Sequence, residues 1–132
     1  MSVRISEAPD LRVDVHQLGQ GDVVTITGEL DLASVRSLRA VLCDASVCSG
    51  RGLVVDLDEV TFMDTTGLRT LIAARRLCSV RGRHTVLLTR EGSQPNRLLT
   101  LLGMERTVDI VHDLGTALRI VATERSAAAV CA

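Results

Sequence analysis

The fold of this chain is decided by one stretch, residues 53–68, which reads LVVDLDEVTFMDTTGL. The apolar run from Leu53 to Leu57 is typical of a strand that is buried on both faces of a sheet. From Asp64 onward the sequence is typical of a helix start, because an aspartate there accepts hydrogen bonds from backbone N–H groups of the first turn. A buried strand that leads into a helix predicts an α/β fold.

The apolar periodicity on both sides of this stretch alternates between strand and helix. Before it, residues 11–18 and 23–27 predict an antiparallel hairpin and residues 33–45 predict a helix. After it, a helix from Asp64 to about residue 80 is followed by a strand at 85–88. A short helix with Pro95 in its first turn ends at Gly103, and a strand covers 108–111. The last helix is capped by Asp113, with its apolar side from Leu114 to Val121 turned inward.

The order of these elements restricts the possible architectures; it is β-β-α-β-α-β-α-β-α. Strands separated by helices require crossover connections and a mostly parallel sheet. We therefore expect a mixed, mostly parallel sheet with an N-terminal antiparallel hairpin strand and about four flanking helices. A length of 132 residues allows one domain. We expect that domain to span residues 1–132, with its core at 11–121 and a flexible tail at about 126–132.

Composition excludes several functional classes. The residues are 46% apolar, which is typical of a folded protein, and the formal net charge of −1 gives no argument for binding nucleic acid or a membrane surface. No apolar run approaches the roughly 20 residues needed to span a bilayer. The first seven residues do not resemble a signal peptide, so we expect a cytoplasmic location.

The most informative polar residues are Asp64, Thr65 and Thr66. They follow the buried strand, at the end of the sheet where open α/β folds place their sites. A phosphoryl group on Thr65 would lie at a helix N-terminus and beside a carboxylate, and its negative charge would weaken any contact made there. Local chemistry also allows a simple capped helix. Gly67, unfavourable in a helix, would serve close packing or leave room for a partner.

Two motifs resemble a known family. Residues 28–31 (GELD), followed by a helix, and residues 62–68 (FMDTTGL), preceded by a Val55-Asp56-Leu57 strand, are similar to the STAS domain of anti-sigma factor antagonists. The similarity covers about residues 11–121 and includes the order of the elements. It implies the STAS fold and a bacterial partner-switching regulator of transcription, of the stress-response or sporulation type.

The resemblance also implies roles for residues. Family members bind an anti-sigma factor that is a serine/threonine kinase, which frees the sigma factor. The kinase phosphorylates the first hydroxyl after the motif aspartate and the complex separates, and a phosphatase resets the cycle. The phosphoacceptor here would be Thr65, or less favourably Thr66, with Asp31, Asp64, Thr65, Thr66 and Gly67 in contact with the partner. The resemblance implies no catalytic residue, cofactor or metal in this chain. This chain has Thr65-Thr66 where members of the family frequently have two serines, so the sequence leaves open which of the two threonines accepts the phosphate.

Three alternatives remain. Asp56 and Asp58 resemble the nucleophile and acid of haloacid-dehalogenase-type phosphohydrolases, but those enzymes need a lysine and this chain has none. In the STAS interpretation Asp56 ends its strand and Asp58 lies in a solvated loop. A STAS scaffold that is never phosphorylated is a second alternative. A redox-gated antagonist that uses Cys43 and Cys78 is a third.

The remaining polar residues predict little. His16, His84 and His112 lack the spacing of metal ligands and are expected at the surface. The row Arg69, Arg76 and Arg83 is expected to be a solvated face, with contact to an acidic partner as the alternative.

Overall fold

The computed structural model describes residues 2–8, 11–19, 21–43 and 52–123, and within these ranges the chain forms one sheet flanked by helices. The strands are β1 (Ser2–Ala8), β2 (Leu11–Leu18), β3 (Gly21–Leu30), β4 (Gly52–Met63), β5 (His84–Leu88) and β6 (Asp109–Val111). The helices are α1 (Val35–Cys43), α2 (Thr65–Val80), α3 (Gln94–Leu101) and α4 (Leu114–Thr123), with a 3₁₀ turn at Met104–Arg106.

The sheet order is β1-β2-β3-β4-β5-β6. The pairs β1–β2 and β2–β3 are antiparallel, and the pairs β3–β4, β4–β5 and β5–β6 are parallel. The predicted mixed α/β class and the N-terminal hairpin are confirmed. The prediction missed β1, which pairs with β2 across a register shift between Arg4 and Ser6. Its apolar pattern is limited to Val3 and Ile5, which is too short a signal to predict a strand.

Two hydrophobic clusters hold the helices on opposite faces of the sheet. The larger one joins β2–β5 to α1, α2 and α3, through residues such as Leu38, Leu71 and Leu99. The smaller one joins β3, β4 and β5 to α4, through Ala117 and Val121. Leu114 is exposed, which contradicts the prediction that it turns inward. It is the first residue of α4, and the contacts with the smaller cluster begin one turn later.

Strand β4 is longer than expected. Residues 59–63 continue to pair with β3 up to the pair Leu30–Met63, across two register shifts, whereas the pairing with β5 ends at Asp56. Asp56 and Asp58 therefore lie inside β4, and the predicted strand end and solvated loop are wrong. Asp58 is half-buried, and its Oδ1 has no hydrogen-bond partner in the described part of the chain. Pairing with β3 outweighs the poor strand propensity of Asp58 and Glu59.

The predicted boundaries of α3 and α4 agree with the structure, whereas α1 begins at Val35, two residues later than predicted. Ser93 caps α3 by accepting a hydrogen bond from the N–H of Asn96, Pro95 lies in the first turn, and Gly103 follows with a left-handed backbone at φ 66°. Asp113 caps α4 through the N–H of Thr116. The predicted flexible tail at 126–132 and the end of the predicted helix at 44–45 lie outside the described residues. In the described ranges, no helix is long and apolar enough to cross a bilayer.

Candidate functional site

Asp31 and Asp64 lie at the same edge of the sheet. They directly follow the last paired residues of the neighbouring parallel strands β3 and β4, Leu30 and Met63. The N–H of Asp64 also donates to the carbonyl oxygen of Leu30 at 3.1 Å, so the two strand ends are tied together. The structure thus brings together the two loops that the sequence singled out.

Asp64 is the N-cap of α2, as predicted. Its backbone is extended and its Oδ1 accepts a hydrogen bond from the N–H of Gly67 at 3.0 Å. Its carbonyl oxygen accepts from the N–H of Leu68 at 3.1 Å. The carboxylate satisfies one of the free donors that every helix start carries.

The two threonines differ in their surroundings. Thr65 is the first residue of α2 and is exposed, whereas Thr66 is half-buried. In the described part of the chain, no hydrogen bond engages the hydroxyl of Thr65. The carbonyl oxygen of Thr66 accepts a hydrogen bond from the hydroxyl of Thr70 at 3.2 Å. Thr65 therefore presents the more accessible hydroxyl at the helix start.

Gly67 is buried and in close contact with β3 and β4. A Cβ on Gly67 would lie 2.8 Å from the carbonyl oxygen of Leu30, 2.9 Å from the Cβ of Leu30 and 3.2 Å from the Cγ of Met63. These distances support the packing alternative for this glycine. Its contribution to the site is to let α2 approach the strand ends.

A hydrogen-bonded turn holds Asp31. Its Oδ1 accepts from the N–H groups of Ala33 at 3.0 Å and Ser34 at 3.2 Å. The hydroxyl of Ser34 is buried; it donates to the carbonyl oxygen of Glu29 at 2.6 Å and accepts from the N–H of Asp31 at 3.1 Å. Sequence analysis missed Ser34, because it placed this residue inside the predicted helix of residues 33–45, whereas α1 begins at Val35.

Gln94 fixes the end of β4 from the other side. Its Oε1 accepts from the N–H of Met63 and its Nε2 donates to the carbonyl oxygen of Met63, both at 2.8 Å. One side chain thus takes the place of a neighbouring strand beyond the end of β5. Arg90 similarly donates from Nη2 to the carbonyl oxygen of Asp58 at 2.9 Å. Both residues border a groove of about 430 Å³ between residues 58–61 and 90–94.

Two large apolar side chains are exposed next to these polar residues. Leu32, which follows Asp31, is 75% exposed, and Phe62, two residues before Asp64, is 45% exposed. Exposed apolar groups beside a polar site are characteristic of protein-contact surfaces. Sequence analysis placed Phe62 in a motif but did not predict its exposure, since an alternating strand pattern does not show which face is covered.

Two carboxyl groups outside the strand ends have shifted pKa values. Burial raises the pKa of Asp56, and the nearby Asp58 and Glu59 carboxylates raise it further, whereas a hydrogen bond from the N–H of Asp58 opposes the shift. Hydrogen bonds from the hydroxyl and the N–H of Thr116 lower the pKa of Asp113. Asp56 is thus a half-buried residue of β4 whose ionised form is less favourable than it would be in water.

The remaining predicted residues do not join this edge. Cys78 is buried on α2, and the side chain of Cys43 lies outside the described residues, so a redox pair stays a prediction. Arg69 and Arg76 are exposed as predicted. Arg83 is not part of the solvated face, because it is half-buried and its Nη1 is buried without a hydrogen-bond partner in the described chain.

The three histidines lie at or near the surface. His84 pairs with Asp109 across β5 and β6, His112 is hydrogen-bonded through Nδ1 to the backbone oxygen of Thr89 at 3.0 Å, and His16 is half-exposed. Among the residues that the structure describes, no group of three metal-ligating side chains comes together.

The family profile of the STAS domain matches residues 13–117. The chain belongs to the STAS domain family. The anti-sigma-F factor antagonist RsfB of Mycobacterium tuberculosis is 28% identical over 116 residues, which cover 85% of this STAS chain and 93% of RsfB.

Solved STAS structures have the same fold. An anti-sigma factor antagonist from Mycobacterium paratuberculosis superposes with a TM-score of 0.72 at 25% identity, covering 88% of this chain and 98% of that one. The Bacillus cell fate determinant SpoIIAA, in its phosphorylated form, gives a TM-score of 0.58 at 20% identity, covering 82% of this chain and 98% of that one. At this identity the SpoIIAA likeness concerns the fold alone.

Proposed function

We propose that this STAS protein is a cytoplasmic anti-sigma factor antagonist, controlled by phosphorylation of Thr65. The unphosphorylated form binds an anti-sigma factor with serine/threonine kinase activity and thereby frees the sigma factor. The observation that carries the proposal is the exposed hydroxyl of Thr65 at the first position of α2, directly after the Asp64 cap. The names of the relatives support the antagonist role.

The strand-end edge offers the partner a mixed polar and apolar surface. Hydrogen bonds from backbone N–H groups already hold the side chains of Asp31 and Asp64 in place. These side chains therefore lose little further conformational entropy when a partner binds. Leu32, next to Asp31, and Phe62, two residues before Asp64, add exposed apolar area beside these polar groups. An apolar contact with hydrogen-bonding groups around it is the usual composition of a protein interface.

The phosphoryl transfer uses Thr65 as the nucleophile and the kinase as the catalyst. A bond forms between Oγ1 of Thr65 and the γ-phosphorus of ATP, the bond from that phosphorus to the β,γ-bridging oxygen breaks, and ADP leaves. The hydroxyl proton passes to a base of the kinase, which also binds Mg²⁺-ATP. The chain acts as the substrate and contributes no catalytic group. Thr66 is the weaker candidate, because its half-buried side chain is less accessible.

A phosphate on Thr65 would add nearly two negative charges beside the Asp64 carboxylate. The free N–H groups of the first turn of α2 stabilise such an anion within the chain. At the interface, however, the same charge must be desolvated and lies next to the Asp64 carboxylate, so the complex is weakened. Hydrolysis of the phosphothreonine by a phosphatase restores the binding form.

The test is a kinase assay with the anti-sigma kinases of the same genome, read by intact-protein mass spectrometry and site mapping. Wild type is expected to gain one phosphate at Thr65, and Thr65→Ala to gain none while still binding the kinase. Thr66→Ala is the matched control and is expected to be phosphorylated. Tight binding without modification would replace this proposal with the scaffold alternative, and absence of binding to every such kinase would contradict the antagonist role.

A further inference from the structure

The outer surface of the helices α1 and α2 is strongly basic. Together the two helices contain five arginines and no aspartate or glutamate. Four of these arginines, Arg36, Arg39, Arg69 and Arg76, are exposed, and we refer to them as the arginine face. Because α1 and α2 contact each other and both pack on the same face of the sheet, the four guanidinium groups share one side of the molecule.

The charges of the arginine face are not neutralised within the described chain. The ion pairs described there involve other residues, namely Arg12 with Asp14, His84 with Asp109, and His112 with Glu91. The formal net charge is nevertheless −1, so the compensating carboxylates lie elsewhere. Several of them, including Asp56 and Glu59, are on strand β4. The two helices that carry the arginine face therefore have no carboxylate of their own to balance its four positive charges.

Apolar side chains lie among these arginines. Val80 is 78% exposed and Leu77 is 38% exposed, both near the end of α2. Arginine is enriched in protein interfaces and is frequent among the residues that dominate binding energy, especially beside apolar contacts. Nucleic acid is a poorer fit, because single-stranded binding relies on aromatic stacking and the chain has one aromatic residue, Phe62.

The arginine face begins at the proposed phosphoacceptor. Arg69 follows Thr65 by four residues in α2, so the two side chains are neighbours on the exposed side of the helix. Arg76 lies two turns further along the same side. The surface is thus continuous with the edge that holds Asp31, Asp64 and Thr65.

We propose that the arginine face docks a carboxylate-rich surface of the partner protein, an inference that rests on the proposed antagonist function. Opposite charges then steer the two proteins together and set their orientation. Phosphorylation acts on the same contact. A phosphate on Thr65 pairs with Arg69 one turn away and places negative charge at the end of the face, which repels the acidic partner surface.

The test measures binding to the cognate anti-sigma kinase with a non-hydrolysable ATP analogue, at low and high salt. The double variant Arg69→Glu/Arg76→Glu is expected to bind at least about tenfold more weakly than wild type at low salt, and the difference is expected to shrink at high salt. Arg106→Glu makes half of that charge change at an exposed arginine in the 3₁₀ turn, which contacts α3 and β6, and it should bind like wild type. Unfolding midpoints show that each variant is folded.

Two probes of known chemistry complete the test. Poly-L-glutamate is expected to shift the NMR signals of the arginine face in wild type, and a DNA duplex of equal charge is not. If the kinase binds the double variant as tightly as wild type, the inference is overturned and the antagonist function stands. If wild type binds no anti-sigma kinase, the docking inference and the proposed antagonist function are both contradicted. Shifts with DNA and none with poly-L-glutamate would assign the face to nucleic acid and overturn the inference.

Discussion

Gly67 lies against Leu30 so closely that a Cβ on the glycine would stand 2.8 Å from the carbonyl oxygen of Leu30. This contact lets the first turn of α2 pack directly on the end of β3. The same carbonyl oxygen accepts the N–H of Asp64, so helix start and strand end form one unit. Thr65, two residues before Gly67, is exposed at this edge.

Gly67→Ala is expected to destabilise the protein, although alanine is the better helix former. The added methyl group meets the backbone of β3, which cannot move without breaking its pairing, and overpacking of this kind costs about 1–3 kcal/mol. The helix propensity gain of about 1 kcal/mol offsets part of that cost. Chemical denaturation measures the change in the free energy of unfolding.

Gly115→Ala is the matched control for that measurement. Gly115 also lies in the first turn of a helix, and its added Cβ would meet one atom within 4 Å, the Oδ1 of Asp113 at 3.3 Å. We expect its stability to stay level or rise slightly. A Gly67→Ala protein as stable as this control would show that the contact with Leu30 can relax.

Asp64→Ala is expected to lower the free energy of unfolding by about 0.5–2 kcal/mol, the usual cost of losing a helix N-cap. Asp64→Asn keeps an oxygen that can accept from the N–H of Gly67, so it should restore most of that stability while removing the charge. Urea titration compares the three proteins. If the Asn variant is as unstable as the Ala variant, the charge and not the capping hydrogen bond stabilises the helix start.

Gln94→Leu is expected to expose the end of β4. The N–H and C=O groups of Met63 both lose their partner, and an unsatisfied buried polar group costs about 1–3 kcal/mol. Hydrogen exchange should show faster exchange at the amide of Met63 and unchanged exchange at Val86 in β5. Ser93→Ala, which removes the adjacent cap of α3, is the control. Unchanged protection at Met63 would contradict the role given to Gln94.

Asp56→Asn is expected to stabilise the protein at neutral pH. Since burial raises the pKa of Asp56, its ionised form is less favourable in the folded chain than in the unfolded chain. That penalty is absent below the usual carboxyl pKa, grows as the pH rises through it, and is complete above the raised pKa. Asparagine can keep the hydrogen bond from the N–H of Asp58 without the charge.

Thermal unfolding at several pH values checks this expectation. The unfolding midpoint of Asp56→Asn should exceed that of wild type at about pH 7, and the difference should vanish towards about pH 3. Glu59→Gln, at an exposed position on the same strand, should give a small difference at both pH values. A constant gain for Asp56→Asn at every pH would mean that the effect does not come from ionisation.

The features that the sequence predicted well are those set by local chemistry. The Asp64 cap and the Gly103 stop each depend on a few neighbouring residues, and both are confirmed. The resemblance named Asp31 and Asp64 together as partner-contact residues, and the structure places both at the edge where the parallel strands β3 and β4 end. By contrast, Asp58 and Glu59 are poor strand formers, and their place in β4 depends on pairing with β3, whose residues lie far earlier in the chain.

The parts of the site that were missed depend on distant partners. Gln94 acts on Met63, 31 residues earlier, and nothing around position 94 indicates that its side chain replaces a strand. The exposure of Phe62 follows from which face the helices leave uncovered. Both are properties of tertiary packing, which residue patterns within one element do not contain.

The overhang of β4 beyond β5 has a consequence for the behaviour of the protein in concentrated solution. A strand whose N–H and C=O groups are unpaired offers a template to the strand of another molecule. Here the side chains of Arg90 and Gln94 form hydrogen bonds with backbone groups of Asp58 and Met63 along that overhang. Residues of the loop and helix that follow β5 thus cover part of an edge to which a second molecule could otherwise pair.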